Sequence, residues 1–157
     1  METQSIAIAG GAGVAAGAGI YSLYGAVDTR AEARSLDPLR TTLREIADSS
    51  TIAHPARVLA ESFGDPALRA PSGASQRVFD AHKDARVSLN QAYAYAQDTE
   101  RVQVARHLGE AVGSADHLAR TINGAALLKG GLGVAGIGLA AAGLAAAYVT
   151  GYRAAEQ

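Results

Sequence analysis

Apolar and polar positions along this chain fall into blocks. Residues 6–27, IAIAGGAGVAAGAGIYSLYGAV, contain no charge, and residues 130–152, GGLGVAGIGLAAAGLAAAYVTGY, repeat the pattern. Between them the sequence is polar, with apolar residues at helical spacing. Asp37-Pro38 predicts a helix start, with Asp37 as N-cap and Pro38 at the first helical position, followed by Leu39, Leu43 and Ile46. His54-Pro55 opens a shorter helix that carries Val58, Leu59 and Phe63 and ends at Gly64. Residues 64–75, GDPALRAPSGAS, have the composition of a loop. From Gln76 to Val112 only Gly109 interrupts the pattern. That predicts one helix of ~35 residues, roughly 50 Å long, in a hairpin or coiled-coil-like packing. Gly113-Ser114 then reads as a stop and a new N-cap, with Asp116 in the first turn and the next helix running through Leu118 and Ile122 into the second apolar block. The expected fold is all-α: a Gly/Ala-rich transmembrane helix in residues 1–27, a polar helical middle segment in 28–122, and a second transmembrane helix with a short tail in 123–157.

The first block also admits a competing reading. Ile6-Ala7-Ile8-Ala9 followed by Gly11-Ala12-Gly13-Val14-Ala15-Ala16 fits the dinucleotide fingerprint G-x-G-x-x-G/A. That fingerprint needs a second buried strand and an acidic residue about twenty positions on. Asp28-Thr29-Arg30-Ala31-Glu32-Ala33-Arg34 follows instead, and no later segment has a β-branched run. The near copy at Gly130-Gly131-Leu132-Gly133-Val134-Ala135 continues in Gly and Ala without turn chemistry. The phosphate loop is therefore rejected. A helix of 22 residues is about 33 Å long, which matches the hydrocarbon thickness of a bilayer. A signal peptide would need a basic start, whereas the residues before Ile6 carry Glu2 and no Lys or Arg.

In an antiparallel pair of such spans, Tyr21 and Tyr24 fall at one interface and Tyr148 and Tyr152 at the other, with Lys129 and Arg153 bracketing the second span as anchors. Small residues recur at every fourth position: Ala9, Gly13, Gly17 and Gly25 in the first span. In the second they are Gly131 and Ala135; Gly138, Ala142 and Ala146; and Gly143 further on. Such rows let helix backbones approach closely, which predicts self-association. Arg30, Arg34, Arg120 and Lys129 flank the middle-segment ends of the spans and only Arg153 flanks the other, so the middle segment is expected on the cytoplasmic or virion-interior side.

Composition sharpens this picture. Residues 28–122 hold 12 of the 14 basic and 13 of the 15 acidic groups, so the charges follow the block pattern. The net charge of −1 gives no bulk attraction to nucleic acid. With no Cys there is no thiolate nucleophile and no Cys-based metal site. Large apolar residues are sparse in 28–122, which predicts that this segment depends on partner subunits for burial.

Catalytic patterns do not emerge. None of the four His has ligand spacing to another, and on a helix only Asp80 and Asp84 of the Asp80/His82/Asp84 group share a face. Ser114, Asp116 and His117 are too close in sequence to align as a triad. The glycine repeat of the first span resembles the Gly-rich helix of rotary ATPase c-subunits. That family carries a carboxylate in its second span; residues 130–152 have no Asp or Glu, so ion carriage is not implied. The Ala/Gly character is also similar in composition to conjugative pilins and filamentous-phage coat proteins. The sequence therefore predicts a non-enzymatic membrane structural subunit with no cofactor, metal or small-molecule substrate. Its expected partners are lipid, further copies of itself and other subunits, in a cell inner membrane, a virion membrane or a phage DNA-delivery device. A holin-like pore former and a soluble helical protein with a buried terminal hairpin are the alternatives.

Overall fold

The computed structural model describes the backbone of residues 2–52, 54–98 and 100–155, and the side chains of residues 14–51, 54–98 and 100–146. All regular structure among them is helical: α1 (Glu2–Arg34), α2 (Asp37–Ile52), α3 (Pro55–Ser62), a 3-10 turn (Pro66–Leu68), α4 (Gln76–Gln97) and α5 (Arg101–Ala155). The chain forms two compact units, one of Met1–Arg30 with Gly124–Gln157, the other of Ala31–Asn123.

In the unit of Ala31–Asn123, each helix boundary has a local cause. After α1, Ser35 Oγ donates to the Glu32 carbonyl at 2.6 Å, and Pro38 has no N–H with which to continue the ladder. The Leu36 carbonyl accepts the Arg40 N–H at 3.0 Å, so α2 begins one residue earlier than expected. Asp37 is then the first helical residue rather than the cap, and its carboxylate accepts from Arg40 Nη1 at 2.9 Å. His54 precedes α3 with Pro55 in its first turn, and the loop after Gly64 contains a 3-10 turn capped by Asp65, whose Oδ1 accepts the Ala67 N–H at 2.8 Å. Gly73 has φ +77°, where a Cβ would be strained, in the turn closed by Ala74 N–H to the Pro71 carbonyl. Ser75 caps α4: its Oγ accepts the Val78 N–H at 3.4 Å and donates to Glu32 Oε1 at 2.6 Å.

The long helix predicted from Gln76 is divided. It stops at Gln97 and restarts at Arg101, and the Glu100 carbonyl opens the ladder of α5 by accepting the Val104 N–H at 3.1 Å. Tyr95 and His107 stack across this joint with ring centroids 5.3 Å apart. Gly113-Ser114, the expected stop and cap, lies in the interior of α5 instead. A glycine inside a helix costs only about 1 kcal/mol relative to Ala, and Ala111 and Ala115 on either side are buried in the core.

One core fills this unit. Leu39, Leu43 and Ile46 of α2 meet Leu59 of α3, Leu68 of the 3-10 turn and the inner faces of α4 and α5. Buried positions on α4 are Val78, His82, Ala85, Leu89, Ala92 and Ala96, and their spacing alternates four and three in the manner of a coiled-coil seam. The corresponding α5 positions are Val104, Leu108, Ala111, Ala115, Ala119 and Ile122. The expectation that this segment needs partner subunits for burial is thereby corrected. Its Leu and Ile residues in the core lie inward, while Phe79, Val87 and Val102 stay exposed, and Ala at half of the seam positions lets the backbones approach closely. Phe63 and Tyr93 add an edge-to-face ring contact at 5.7 Å.

Asp116 joins α2 to α5. Its carboxylate accepts from Arg40 Nε at 2.7 Å and from Arg44 Nη2 at 2.7 and 2.8 Å. Hydrogen bonds from Arg44 and Arg40 hold the Asp116 carboxyl below the usual carboxylate range.

Candidate helix-packing site

In the other unit, α1 and the C-terminal part of α5 lie against each other in antiparallel sense. Going forward along α1, Ala15 meets Gly136, Gly19 meets Gly133 and Ile137, Leu23 meets Gly133, Ala26 meets Gly130 and Thr29 meets Lys129. At the centre the two backbones nearly touch. A Cβ on Gly19 would lie 2.8 Å from the Gly133 carbonyl oxygen and 2.9 Å from the Ile137 nitrogen. One on Gly136 would lie 3.0 Å from both the Ala15 carbonyl oxygen and Gly19 Cα. One on Gly133 would meet Leu23 Cγ at 2.6 Å and the Gly19 carbonyl oxygen at 2.9 Å. A methyl at Gly19 would meet backbone atoms that cannot move aside, and one at Gly133 or Gly136 would force its neighbours to shift.

The buried seam is built of small residues. Gly19 and Ala26 are buried on α1, and Ala126, Gly133 and Ala140 on α5, each set spaced by seven. A seven-residue spacing keeps the same face toward a partner helix crossing at a shallow angle. A row at every fourth residue advances about 40° per step around a helix of 3.6 residues per turn, so it cannot stay in one such contact. Accordingly the described members of the four-residue rows lie away from the centre of that contact. Gly17, Gly131 and Gly138 have nothing within 4 Å of a Cβ position, and Ala135, Ala142 and Ala146 are exposed. Gly25 and Gly143 are half-buried, with the Lys129 side chain passing Gly25. The seven-residue spacing of Gly19 with Ala26, and of Ala126, Gly133 and Ala140, is present in the sequence beside the four-residue rows.

The expected anchors divide similarly. Tyr21 and Tyr24 are exposed. Lys129 runs its stem past Gly25 and donates from Nζ to Thr29 Oγ1 at 3.1 Å, while Thr29 Oγ1 donates to the Gly25 carbonyl at 2.6 Å. Ala9, Gly13, Tyr148, Tyr152 and Arg153 lie outside the residues whose side chains are described.

Outside the seam the large apolar side chains point away from the pair. Leu127, Leu128, Leu132, Val134, Leu139 and Leu144 on α5 are each more than half exposed, as are Val14 and Val27 on α1. Among the described residues one helix is long and apolar enough to cross a membrane, within Arg101–Ala146, with a mean hydropathy of 1.6 over its most apolar window; 17% of that window is buried. Part of the first expected span falls on residues 1–13, outside the described side chains.

Elsewhere, Asp80 accepts from Gln76 Nε2 at 2.9 Å, whereas His82 is buried with Nδ1 2.7 Å from the Val78 carbonyl. His107 Nδ1 lies 3.2 Å from Glu110 Oε2. No group of three or more metal-ligating side chains occurs among the described residues. Asp116, set aside in the sequence as a first-turn residue, is instead the hub of the α2–α5 ion pairs. No family model matches the chain, and neither a curated protein nor a solved structure matches it.

Proposed function

We propose that this chain is a non-enzymatic integral membrane protein. In this reading α1 and the C-terminal part of α5 cross the bilayer as an antiparallel pair, and copies associate through the outward small-residue rows. It would serve as a structural subunit of a multi-subunit membrane assembly, of the kind found in a virion membrane or a phage DNA-delivery device. The observation that carries the reading is the inverted polarity of the Gly19/Gly133/Gly136 pair: small residues inside, Leu and Val outside. In water each large aliphatic side chain left exposed forgoes about 1.5–3 kcal/mol of burial. Against hydrocarbon that loss disappears, and close backbone packing becomes the main source of helix association. A core helix of a soluble protein would be mostly covered, whereas the apolar window of α5 is 17% buried.

The test is extraction followed by sizing. The protein should stay with membranes through an alkaline carbonate wash and come off in mild detergent as an oligomer. Release by carbonate alone would remove the membrane reading. Gly17→Ile and Gly131→Ile place bulk where the chain itself has open space, so the helix pair should survive while the oligomer dissociates. An oligomer unchanged in the double variant would remove the association reading and leave the membrane one standing.

A further inference from the structure

Within the unit of Ala31–Asn123, the outer face of α4 and the segment after the 3-10 turn enclose an open cleft of about 360 Å³. That volume lies within the usual range for small-ligand sites. Arg69, Lys83 and Arg86 line it and no Asp or Glu does. None of these three cations has a carboxylate partner among the described residues, whereas Arg40, Arg44, Arg57, Arg77 and Arg106 all do. Phe79 and Val87, both about half exposed, supply an apolar wall between the cations. Phe79, Lys83 and Arg86 follow one another at spacings of four and three, and Val87 lies four beyond Lys83, so neighbouring members of the group adjoin on α4. His82 lies at the cleft floor with Nδ1 committed to the Val78 carbonyl, so that only Nε2 remains for a ligand.

We propose that this cleft binds a phosphate monoester carrying an apolar group. Three unpaired cations beside one another repel, and a dianion relieves that repulsion better than a single carboxylate does. Two guanidinium groups match the oxygens of a phosphate in bidentate geometry, with the ammonium as an additional point charge. The exposed Phe79 and Val87 then cover the apolar part of the ligand. The proposal is independent of the membrane reading, since every residue it uses lies in the other unit.

A lipid and a soluble metabolite share this headgroup chemistry, and calorimetric titration of the full chain in neutral detergent separates them. Dihexanoyl phosphatidic acid should bind, sn-glycerol 3-phosphate should bind about tenfold or more weakly, and dihexanoyl phosphatidylcholine should not bind. Lys83→Gln and Arg86→Gln should each weaken the lipid by about tenfold, the order expected for losing one charge-assisted contact. Arg101→Gln, an exposed cation outside the cleft, should leave it unchanged. Phe79→Ala should erase the preference for the lipid over glycerol phosphate. All these side chains are exposed, so unchanged thermal unfolding of each variant accompanies the expected result. Equal affinity for the lipid and glycerol phosphate overturns the apolar half of the proposal. Undiminished binding in the Arg69→Gln/Lys83→Gln/Arg86→Gln variant, or no binding of either phosphate, overturns the whole of it.

Discussion

Asp116 sits four-fifths buried between two guanidinium groups, and its removal has a sign that can be worked out. Its carboxyl is held below the usual range by Arg44 and Arg40, so the stabilisation exists above the unfolded value of about 3.9 and is lost as pH falls through the lower folded value. Asp116→Asn should therefore cost about 1 kcal/mol at neutral pH, after allowance for partial exposure, and the difference from the parent should begin to shrink as the pH falls below about 4. Denaturant melts at pH 7 and pH 3 read the change; a penalty undiminished at pH 3 would show that geometry, not charge, is what Asp116 supplies. Glycines allow an equally signed comparison. Gly19→Ala drives a methyl into the Gly133 carbonyl and the Ile137 nitrogen, neither of which is a movable side-chain tip, so the helix pair should lose about 1–3 kcal/mol. Gly17→Ala meets nothing within 4 Å and should be neutral or stabilising by up to about 1 kcal/mol. Double-cysteine crosslinking across Ala26 and Gly130 in detergent measures the pair directly. Equal effects of the two substitutions would mean that the close approach at Gly19 is not maintained.

At the scale of elements, the signals that proved legible were those with a single steric cause. Pro38 and Pro55 mark helix starts to within a residue, and the Pro/Gly/Ser-rich stretch of 64–75 is a loop apart from its 3-10 turn. The joint between α4 and α5 was not legible, because the Asp98-to-Glu100 stretch contains neither Gly nor Pro. Its signal is a run of polar residues, weak helix formers among them, which decides a boundary only when tertiary packing rewards the reversal. Conversely Gly113 looked like a terminator and is not one, since the inward faces of Ala111 and Ala115 hold the helix through it. This difference is measurable. A Cβ at Gly113 has nothing within 4 Å, so Gly113→Ala should raise stability by up to about 1 kcal/mol, read as an increased denaturation midpoint. A helix stop at that position would need the glycine's freedom, and the same substitution would then lower the midpoint.

For the whole molecule, the charge blocks in the sequence and the compact units in the structure describe two kinds of surface. Ala31–Asn123 encloses Leu, Ile and Val and shows its charges outward, the ordinary arrangement for a domain in water. The other unit encloses Gly and Ala and shows Leu and Val outward. The packing logic of the second unit was only half legible: the Gly/Ala bias pointed to close helix contact, but which glycines make it depends on the crossing angle, which composition does not encode. Two antiparallel crossings, as proposed above, would place the two chain ends on one side of a membrane and the middle segment on the other. In the proposed membrane arrangement, Arg30, Arg34, Arg120 and Lys129 on the short flanks would bias the middle segment to the cytoplasmic face. The chain has no Cys, so single introduced thiols report without background. Ser50 is buried and bonded to the Ala47 carbonyl, which makes it a poor probe, whereas Asp48 on the same helix is exposed. Asp48→Cys in spheroplasts should resist a membrane-impermeant maleimide until the membrane is permeabilised, while Gln157→Cys should react at once. Labelling of both from the same side would exclude the two-crossing arrangement, whichever side it was. Exchange of the two outcomes would keep both crossings and reverse the orientation, showing that the arginine flanks do not set it.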